Sequence, residues 1–401
     1  MSVATTSPSV EPERSGAVRL DRLRELEAPI RLERADVFMV SLSLRRSFRS
    51  AYGASAPVKR VIVVRLEDAD GVTGWGEAPV FERPFFGVDT AESTWSALVD
   101  LILPAVVGIQ FGSPAEVAAA SAGFLGQNYA KCAVESAAWA IASERLVAPL
   151  AGLWGGVRDR IPVGESLPIH DTVDLLLDEV AQRVEEGFGR IKLKIAPGWD
   201  VSPAAAVKAA FPALPLSVDG NCGYRLDTGP WDELDELGLL MIEQPLPGDD
   251  LVDMAALQEG LRTALCLDES ASSLNVTRTA LHLKAGRIVN IKAPRLGGLI
   301  PSVAVHDLCV RSNVPTWCGG MLETGIGRGF NLALASLPGF TLHADMSPTR
   351  IFYAEDLVEP TFDVEGDGCI EVPTRPGNGF PVVSERVERS ATRRWSTRST
   401  A

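Results

Sequence analysis

Eight short apolar segments recur after Gly155, and segments with helical spacing separate them. This alternation is typical of parallel βα units, and eight strands are the number that closes a barrel. The alternative is an open doubly wound sheet, which would usually carry a glycine-rich phosphate loop after its first strand, and the sequence has none there. The predicted strands are residues 161–166, 191–195, 216–219, 239–243, 264–268, 288–292, 314–318 and 340–345.

The chain outside this predicted barrel, which spans residues 156–346, divides into four parts. Residues 1–28 begin with a stretch rich in Ser, Thr, Pro and Glu and are predicted to be a disordered extension. Residues 29–155 predict a small α+β domain, with a hairpin over 61–66 and 74–77 and helical residues over 113–147. Residues 347–385 are expected to return to that domain, and residues 386–401 to form a solvated basic tail.

Charge and cysteine usage exclude several classes of protein. The net charge of −14 argues against nucleic acid or an anionic membrane as a partner. The six cysteines form no C-x-x-C pair and no recognisable disulfide framework, which favours a reducing, cytoplasmic setting. No apolar run approaches the roughly 20 residues that a membrane helix needs.

Polar residues stand at the ends of five consecutive predicted barrel strands. They are Lys194, Asp219, Glu243, Asp268 and Lys292, and each follows the previous one by 24 or 25 residues, one βα unit. In a barrel the carboxyl ends of all strands face the same mouth, so these side chains are expected to converge there. Each one alone is more often a cap or a salt-bridge partner, but that interpretation does not account for the regular set.

Three carboxylates that converge would repel one another unless a cation neutralises them. An all-oxygen ligand set suits Mg²⁺, with Mn²⁺ as an alternative, rather than zinc. The two lysines flank the three carboxylate strands, which predicts two acid/base groups on opposite sides of one substrate. A small carboxylate bound to the ion would lose its α-proton to give a metal-stabilised enediolate.

Further residues near these strand ends are candidates for supporting or substrate-binding roles. Lys192 lies two residues before Lys194 and is expected to face the same way, either as a substrate contact or as a charge that tunes Lys194. Asn221 and Glu269 are expected to support the metal ligands. Arg295 either binds a substrate anion or caps its loop, and Glu323 is expected near the barrel mouth.

The ordered motifs KLK, DGN, IEQPL, LDES, NIK and GGMLETGIGR resemble those of the enolase superfamily. Within it the chain is most similar to the o-succinylbenzoate synthases and N-acylamino acid racemases of the muconate-lactonizing-enzyme subgroup, from about residue 30 to residue 383. The resemblance implies a (β/α)₇β barrel with an α+β capping domain. It also implies Asp219, Glu243 and Asp268 as Mg²⁺ ligands and Lys194 and Lys292 as catalytic lysines.

The resemblance leaves the reaction open between dehydration, as in menaquinone biosynthesis, and racemisation of N-acylated amino acids. Muconate cycloisomerase is an alternative, and an inactive barrel used for binding is disfavoured because all five site residues are present. A homo-oligomer is expected.

Loops of the capping domain are expected to cover the barrel mouth and to contact the substrate. The candidate contacts on these loops are the apolar residues Phe48, Tyr52, Phe85 and Phe86, together with Arg49 for a second carboxylate. Ser166 and Met321 are candidate contacts from the barrel. Glu165 is an unusual carboxylate at the end of the first strand.

Overall fold

The computed structural model describes residues 20–400, and the predicted extension before Leu20 lies outside them. The cap is an antiparallel sheet in the order β16-β1-β4-β5, in which β16 is the C-terminal strand Ala391–Arg398, and β6 also pairs with β1. Its strands are β1 (Ile30–Ser43), β2 (Arg49–Ser50), β3 (Gly53–Ala54), β4 (Val58–Asp68), β5 (Thr73–Ala78) and β6 (Gln110–Phe111). The predicted hairpin is therefore present as β4 and β5.

The cap also contains helices and helical turns, the longest of which packs on this sheet. They are α1 (Leu20–Arg24), α2 (Ala91–Ser96), a π-helical turn (Ala97–Ile102), a 3₁₀ turn (Leu103–Ala105), α3 (Pro114–Ser121) and α4 (Asn128–Leu146). The helical stretch predicted over 113–147 is two helices, because the intervening segment contains Gly123 and Gly126 and Gln127 adopts a positive φ of 55°. Ser113 precedes α3 and Pro114 begins it, as predicted.

The barrel is a sheet of eight parallel strands in the order β13-β12-β11-β10-β9-β8-β7-β14, and a bridge between Thr316 and Phe340 brings the last segment next to β13. All eight predicted strands are present, although most are shorter than predicted. They are β7 (Arg160–Leu167), β8 (Ile191–Lys194), β9 (Leu216–Asp219), β10 (Ile242–Glu243), β11 (Leu265–Leu267), β12 (Ile288–Ile291), β13 (Thr316–Cys318) and β14 (Ala344–Asp345).

Helices surround these strands and bury their apolar sides. They are α5 (Leu150–Trp154), α6 (Val173–Glu185), α7 (Val201–Ala210), α8 (Trp231–Glu236), α9 (Leu251–Gly260), α10 (Leu274–Leu283), α11 (Ala293–Leu296), α12 (Leu299–Ser312), α13 (Gly325–Ala335) and α14 (Thr349–Phe352). The amphipathic helix α6 begins where Thr172 accepts a hydrogen bond from the Leu175 amide. The predicted (β/α)₇β barrel with an α+β cap is confirmed.

The two ends of the chain differ from the prediction. Helix α1 forms within the segment predicted to be disordered, because Leu23 is buried in the core. After β15 (Cys369–Glu371) and α15 (Ser384–Ser390), the predicted basic tail forms β16 (Ala391–Arg398). This strand pairs antiparallel with β1, and the Arg393 guanidinium stacks on the Trp95 ring. The tail is therefore part of the cap sheet, which its basic composition did not indicate.

Within residues 20–400, no helix is long and apolar enough to cross a membrane.

Candidate active site

Three buried carboxylates meet at the carboxyl ends of neighbouring barrel strands. Asp219 ends β9, Glu243 ends β10, and Asp268 directly follows β11. The parallel register places Glu243 beside Asp219, and a carboxylate oxygen from each of the three residues lies within 4.8 Å of the others. All three side chains are fully buried. The three predicted metal-ligand candidates therefore lie together, as their spacing along the sequence predicted.

The electrostatics of this cluster fit a divalent cation. Burial and the charge of Asp219 raise the pKa of Glu243 to about 7. Burial also opposes ionisation of Asp268, but Arg295 and Lys292 outweigh it and lower the pKa of that carboxyl. A bound cation would favour the ionised form of all three carboxylates, because its positive charge offsets the cost of burying negative charge in a low-dielectric site. The all-oxygen donor set suits Mg²⁺ or Mn²⁺.

The two predicted lysines lie on either side of this cluster. The Lys194 ammonium donates to Asp219 over 2.6 Å, and the Lys292 ammonium donates to Asp268 over 2.8 Å. Each lysine is 6% exposed, and both line the same cavity. Lys194 lies at the end of β8, in register with Asp219, and Lys292 follows β12. The barrel thus presents two ammonium groups across three carboxylates.

Lys192 is held by a second group of charges inside the barrel. Its ammonium lies 2.8 Å from Glu243 and 2.6 Å from Asp345, and Arg190 also pairs with Asp345. Burial opposes the charge of Lys192, but Asp345 and Glu243 outweigh it and raise the pKa of the amine. Neither Arg190 nor the pairing of Asp345 was predicted from the sequence, although Arg190 lies two residues before Lys192 and so has the spacing of an inward-facing side chain.

A further support that sequence reasoning missed is Asn290, which donates to Glu243 over 2.8 Å. It lies two residues before Lys292 on β12, so the same spacing would have indicated it. Arg295 pairs with Asp268 and also donates to the Phe86 carbonyl of the cap. Arg295 was predicted either to bind a substrate anion or to cap its own loop. In the structure it contacts a metal-ligand candidate and a cap loop instead.

Asn221 and Glu269 contact each other beside the carboxylate cluster, and the Tyr52 hydroxyl lies 3.3 Å from Glu269. Burial and the charge of Asp268 raise the pKa of Glu269 to about 7. Tyr52 is stacked on Phe85, with ring centroids 5.9 Å apart, and meets the edge of Phe86. The two cap loops predicted to cover the mouth, residues 43–54 and 81–89, are called the lid loops, and through these contacts they touch each other and reach the site.

A cavity of about 310 Å³ lies between the cap and the barrel mouth. Its barrel side includes Ser166, Met321 and the lysines, and its cap side includes Phe48 and the loop with Phe85 and Phe86. The Lys194 ammonium lies 5.8 Å from the Phe48 ring centroid and 5.6 Å from that of Phe86. The size and mixed lining suit a small ligand with one polar end.

Arg49, the predicted contact for a second substrate carboxylate, does not line the cavity, and neither do Glu165 and Glu323. Arg49 donates to the Ile169 and His170 carbonyls and lies outside the cavity lining, because its strand pair turns it toward the barrel rim. Glu165 also lies outside the lining and accepts from Ser347 over 2.5 Å, since its neighbour Ser166 takes the inward position. Glu323 supports its own loop, accepting from the Met321 amide and Asn331 and pairing with Arg328.

Family comparisons agree with this arrangement of cap, barrel and strand-end groups. Residues 34–155 match the family described as mandelate racemase / muconate lactonizing enzyme, N-terminal domain. Residues 175–386 match the family described as enolase C-terminal domain-like. The chain belongs to the enolase superfamily.

Comparison with individual proteins shows which members of the superfamily the chain resembles. The chain is 42% identical over 351 residues to an o-succinylbenzoate synthase from Geobacillus kaustophilus, covering 87% of this chain and 93% of that protein. It is 39% identical to an N-succinylamino acid racemase from Thermus thermophilus, covering 90% and 97%. A solved structure of an enolase superfamily member from Listeria innocua matches with a TM-score of 0.88 at 32% identity, covering 92% and 99%. The chain is thus an enolase-superfamily enzyme similar to these synthases and racemases.

Proposed function

We propose that the protein abstracts the α-proton of a succinylated carboxylate substrate, acting as an o-succinylbenzoate synthase, an N-succinylamino acid racemase, or both. The observation that carries this proposal is the pair of buried lysines in one cavity, 2.6 Å and 2.8 Å from two carboxylates of a three-carboxylate cluster. Relatives with either name are about equally similar to the chain, which supports both activities.

Asp219, Glu243 and Asp268 would hold the divalent cation. When bound, the ion supplies a Lewis acid that polarises the substrate carboxylate and makes the adjacent C–H bond more acidic. Lys192 and Asn290 keep the Glu243 carboxylate oriented by direct hydrogen bonds. Arg295 does the same for Asp268.

The two lysines would act on the substrate from opposite sides. In racemisation one amine takes the α-proton and the opposite ammonium delivers a proton to the other face. In dehydration Lys194 takes the α-proton and returns it to the departing hydroxyl, while the Lys292 ammonium stays charged beside the developing negative charge. Phe48 and Phe86 shield Lys194 from solvent, which strengthens these charge interactions.

The test incubates the protein with Mg²⁺ in D₂O and each enantiomer of an N-succinyl amino acid, and follows α-proton exchange by NMR. A parallel ultraviolet assay follows dehydration of the cyclohexadiene precursor of o-succinylbenzoate. We expect Lys194→Ala and Lys292→Ala to lower turnover by about 10²–10⁴-fold, the usual contribution of a general acid or base. Lys208→Ala, a partly exposed lysine on α7, is the matched control.

The outcomes separate the two activities. Racemisation that both lysine variants abolish supports the two-base racemase, and dehydration without racemisation supports the synthase alone. Absence of both reactions in the unmodified protein would reject this substrate class and make a muconate cycloisomerase the next activity to assay. A cytoplasmic location is part of the proposal, since all six cysteines are free in the structure. The homo-oligomer stays a prediction.

A further inference from the structure

Both substrates in the proposed function carry two carboxylates, one at the reacting carbon and one at the end of the succinyl chain. The first would bind at the carboxylate cluster through the cation. The second needs a positive group elsewhere in the cavity, and Arg49, the residue expected to supply it, lies outside the lining. The assignment of that group rests on the proposed function.

Most cations that line the cavity are already paired with carboxylates. The paired groups are Lys192 with Glu243 and Asp345, Lys194 with Asp219, Lys292 with Asp268, Arg328 with Glu323, and Arg60 with Glu82. Two lining cations differ. Within residues 20–400, neither Lys59 nor Arg83 has a carboxylate at ion-pair distance. Both belong to the cap.

Lys59 is a buried amine that has no carboxylate at ion-pair distance within residues 20–400, although the more distant Glu323 and Glu77 favour its charged form. Its side chain extends from β4, the residue is 3% exposed, and its ammonium donates to the Pro79 and Val80 carbonyls over 2.9 Å and 2.7 Å. The same ammonium lies 3.1 Å from the centroid of the Phe81 ring. Dipoles and a ring face stabilise this charge only in part, and burial lowers the pKa of the amine well below its usual range. An anion in the cavity would supply the missing counter-charge.

Arg83 lies in the lid loop that begins at Phe81, the residue whose ring covers Lys59. It is exposed and lines the cavity, and within residues 20–400 its guanidinium has no carboxylate at ion-pair distance, so binding an anion would break no existing ion pair. A guanidinium presents two parallel N–H groups that match a carboxylate, which a single ammonium does not. Arg83 thus supplies directional binding, and Lys59 supplies an amine whose charged form a bound anion would favour.

We propose that Arg83 and Lys59 form a second carboxylate subsite on the cap side of the cavity, which binds the succinyl carboxylate of the substrate. Substrate selection for a dianion would then be divided between two parts of the molecule. The barrel residues bind the carboxylate next to the reacting carbon. The lid loop binds the distal carboxylate.

The test compares two substrates that differ only in the distal carboxylate, an N-succinyl amino acid and the N-butanoyl derivative of the same amino acid. Exchange in D₂O is measured for the unmodified protein, Arg83→Gln, Arg83→Lys and Lys59→Met. Arg22→Gln, which removes an exposed guanidinium of α1 outside the cavity, is the control. Arg83 is exposed, so its variants are expected to fold even if Lys59→Met does not.

We expect Arg83→Gln to lower kcat/KM for the N-succinyl substrate about tenfold or more, mainly through KM, and to leave the N-butanoyl substrate almost unchanged. Arg83→Lys should retain part of the difference, because it keeps the charge but loses the paired N–H groups. Equal effects of Arg83→Gln on the two substrates, or no effect on either, would overturn the subsite. Exchange of neither substrate by the unmodified protein would overturn the proposed function and this inference with it.

Discussion

Glu135 is a carboxylate buried in helix α4, away from the active-site carboxylates, and it is 1% exposed. It accepts hydrogen bonds from the Ile300 amide over 2.9 Å and from the Trp139 indole over 3.2 Å. No cation within residues 20–400 lies at ion-pair distance, and burial raises the pKa of Glu135 to about 7. Below about pH 7 the native state therefore favours the protonated acid, and Glu135 joins the cap helix to the first turn of α12.

This raised pKa predicts a pH dependence of stability. Because the native pKa lies above the unfolded value near 4.5, the folded protein holds the proton more tightly. Its contribution is fully present below about pH 4.5 and is lost as the pH rises through about 7. We expect the free energy of unfolding, measured with urea, to fall between pH 5 and pH 8. The fall should be larger in the unmodified protein than in Glu135→Gln, and the difference between the two falls should be up to about 3 kcal/mol. Parallel pH profiles of the two proteins would contradict this.

At the scale of elements, two glycines let strand β5 pack directly on helix α4. A Cβ atom on Gly76 would lie 1.8 Å from the Ala133 carbonyl oxygen, and one on Gly74 would lie 2.1 Å from that of Ala137. Backbone atoms of a helix cannot move away as a flexible side chain can. The motif GWGE is therefore a helix-packing surface as well as half of a hairpin.

Gly76→Ala should destabilise the cap by about 1–3 kcal/mol or more, because the added methyl forces the strand and helix apart. Gly123→Ala is the matched control, since a Cβ there meets nothing within 4 Å. Thermal unfolding followed by circular dichroism measures the difference. Equal melting temperatures for the two variants would show that the sheet and the helix separate without cost.

The C-terminal strand β16 covers the edge of β1, pairing with it from Arg34 to Val40. A chain that ends at Ser390 would expose the backbone N–H and C=O groups of that edge, which are a template for association with other chains. We expect the truncated protein to aggregate on heating, measured by light scattering, and to melt at a lower temperature. Full-length chains with Arg393, Arg394 and Arg398 changed to Gln serve as the control for charge. Aggregation of this control alone would assign the protection to charge rather than to pairing.

At the scale of the whole molecule, the active site joins five barrel strands. The carboxylates come from β9, β10 and the end of β11, while the lysines come from β8 and the end of β12. A cation bound there would connect elements that are far apart in sequence. Ligand binding to the native state alone stabilises it by RT ln(1 + [L]/Kd).

Mg²⁺ at about 100 times its Kd should therefore stabilise the protein by about 2.7 kcal/mol, and chelation by EDTA should reverse this. The measurement is the melting temperature against Mg²⁺ concentration. Asp219→Asn should weaken the response, because it removes a charge from the cluster. An identical Mg²⁺ response in Asp219→Asn would place the binding site elsewhere.

Cap and barrel are also joined by Glu77, whose carboxylate accepts from the Thr324 amide and hydroxyl and from the Gly327 amide. This contact connects the cap sheet to the loop that carries Met321 and to the start of α13. The sequence pattern predicts Glu77 in a hairpin but does not indicate its partner Thr324, which lies 247 residues later. The lid therefore rests on a cap that is anchored beside the barrel mouth.

The sequence by itself determined the number and order of the barrel strands and which residues stand at their ends. It could do so because strand and helix spacing is local, and because parallel strands in a barrel direct their ends to one mouth. The carboxylates Asp219, Glu243 and Asp268 were found in this way. Spacing within a strand also contained the signal for Asn290 and Arg190, but it did not identify their partners.

Only the tertiary structure decided which charges meet across the barrel and which cap residues enter the cavity. Lys192 pairs with Asp345, more than 150 residues away, because closure brings β14 next to β7. Arg49 turns to the rim while Lys59 and Arg83 line the cavity, since the way the cap docks on the barrel, rather than residue type, sets these directions. Likewise β16 is a strand because the edge of β1 offers backbone partners to a segment whose own sequence indicated only a charged tail.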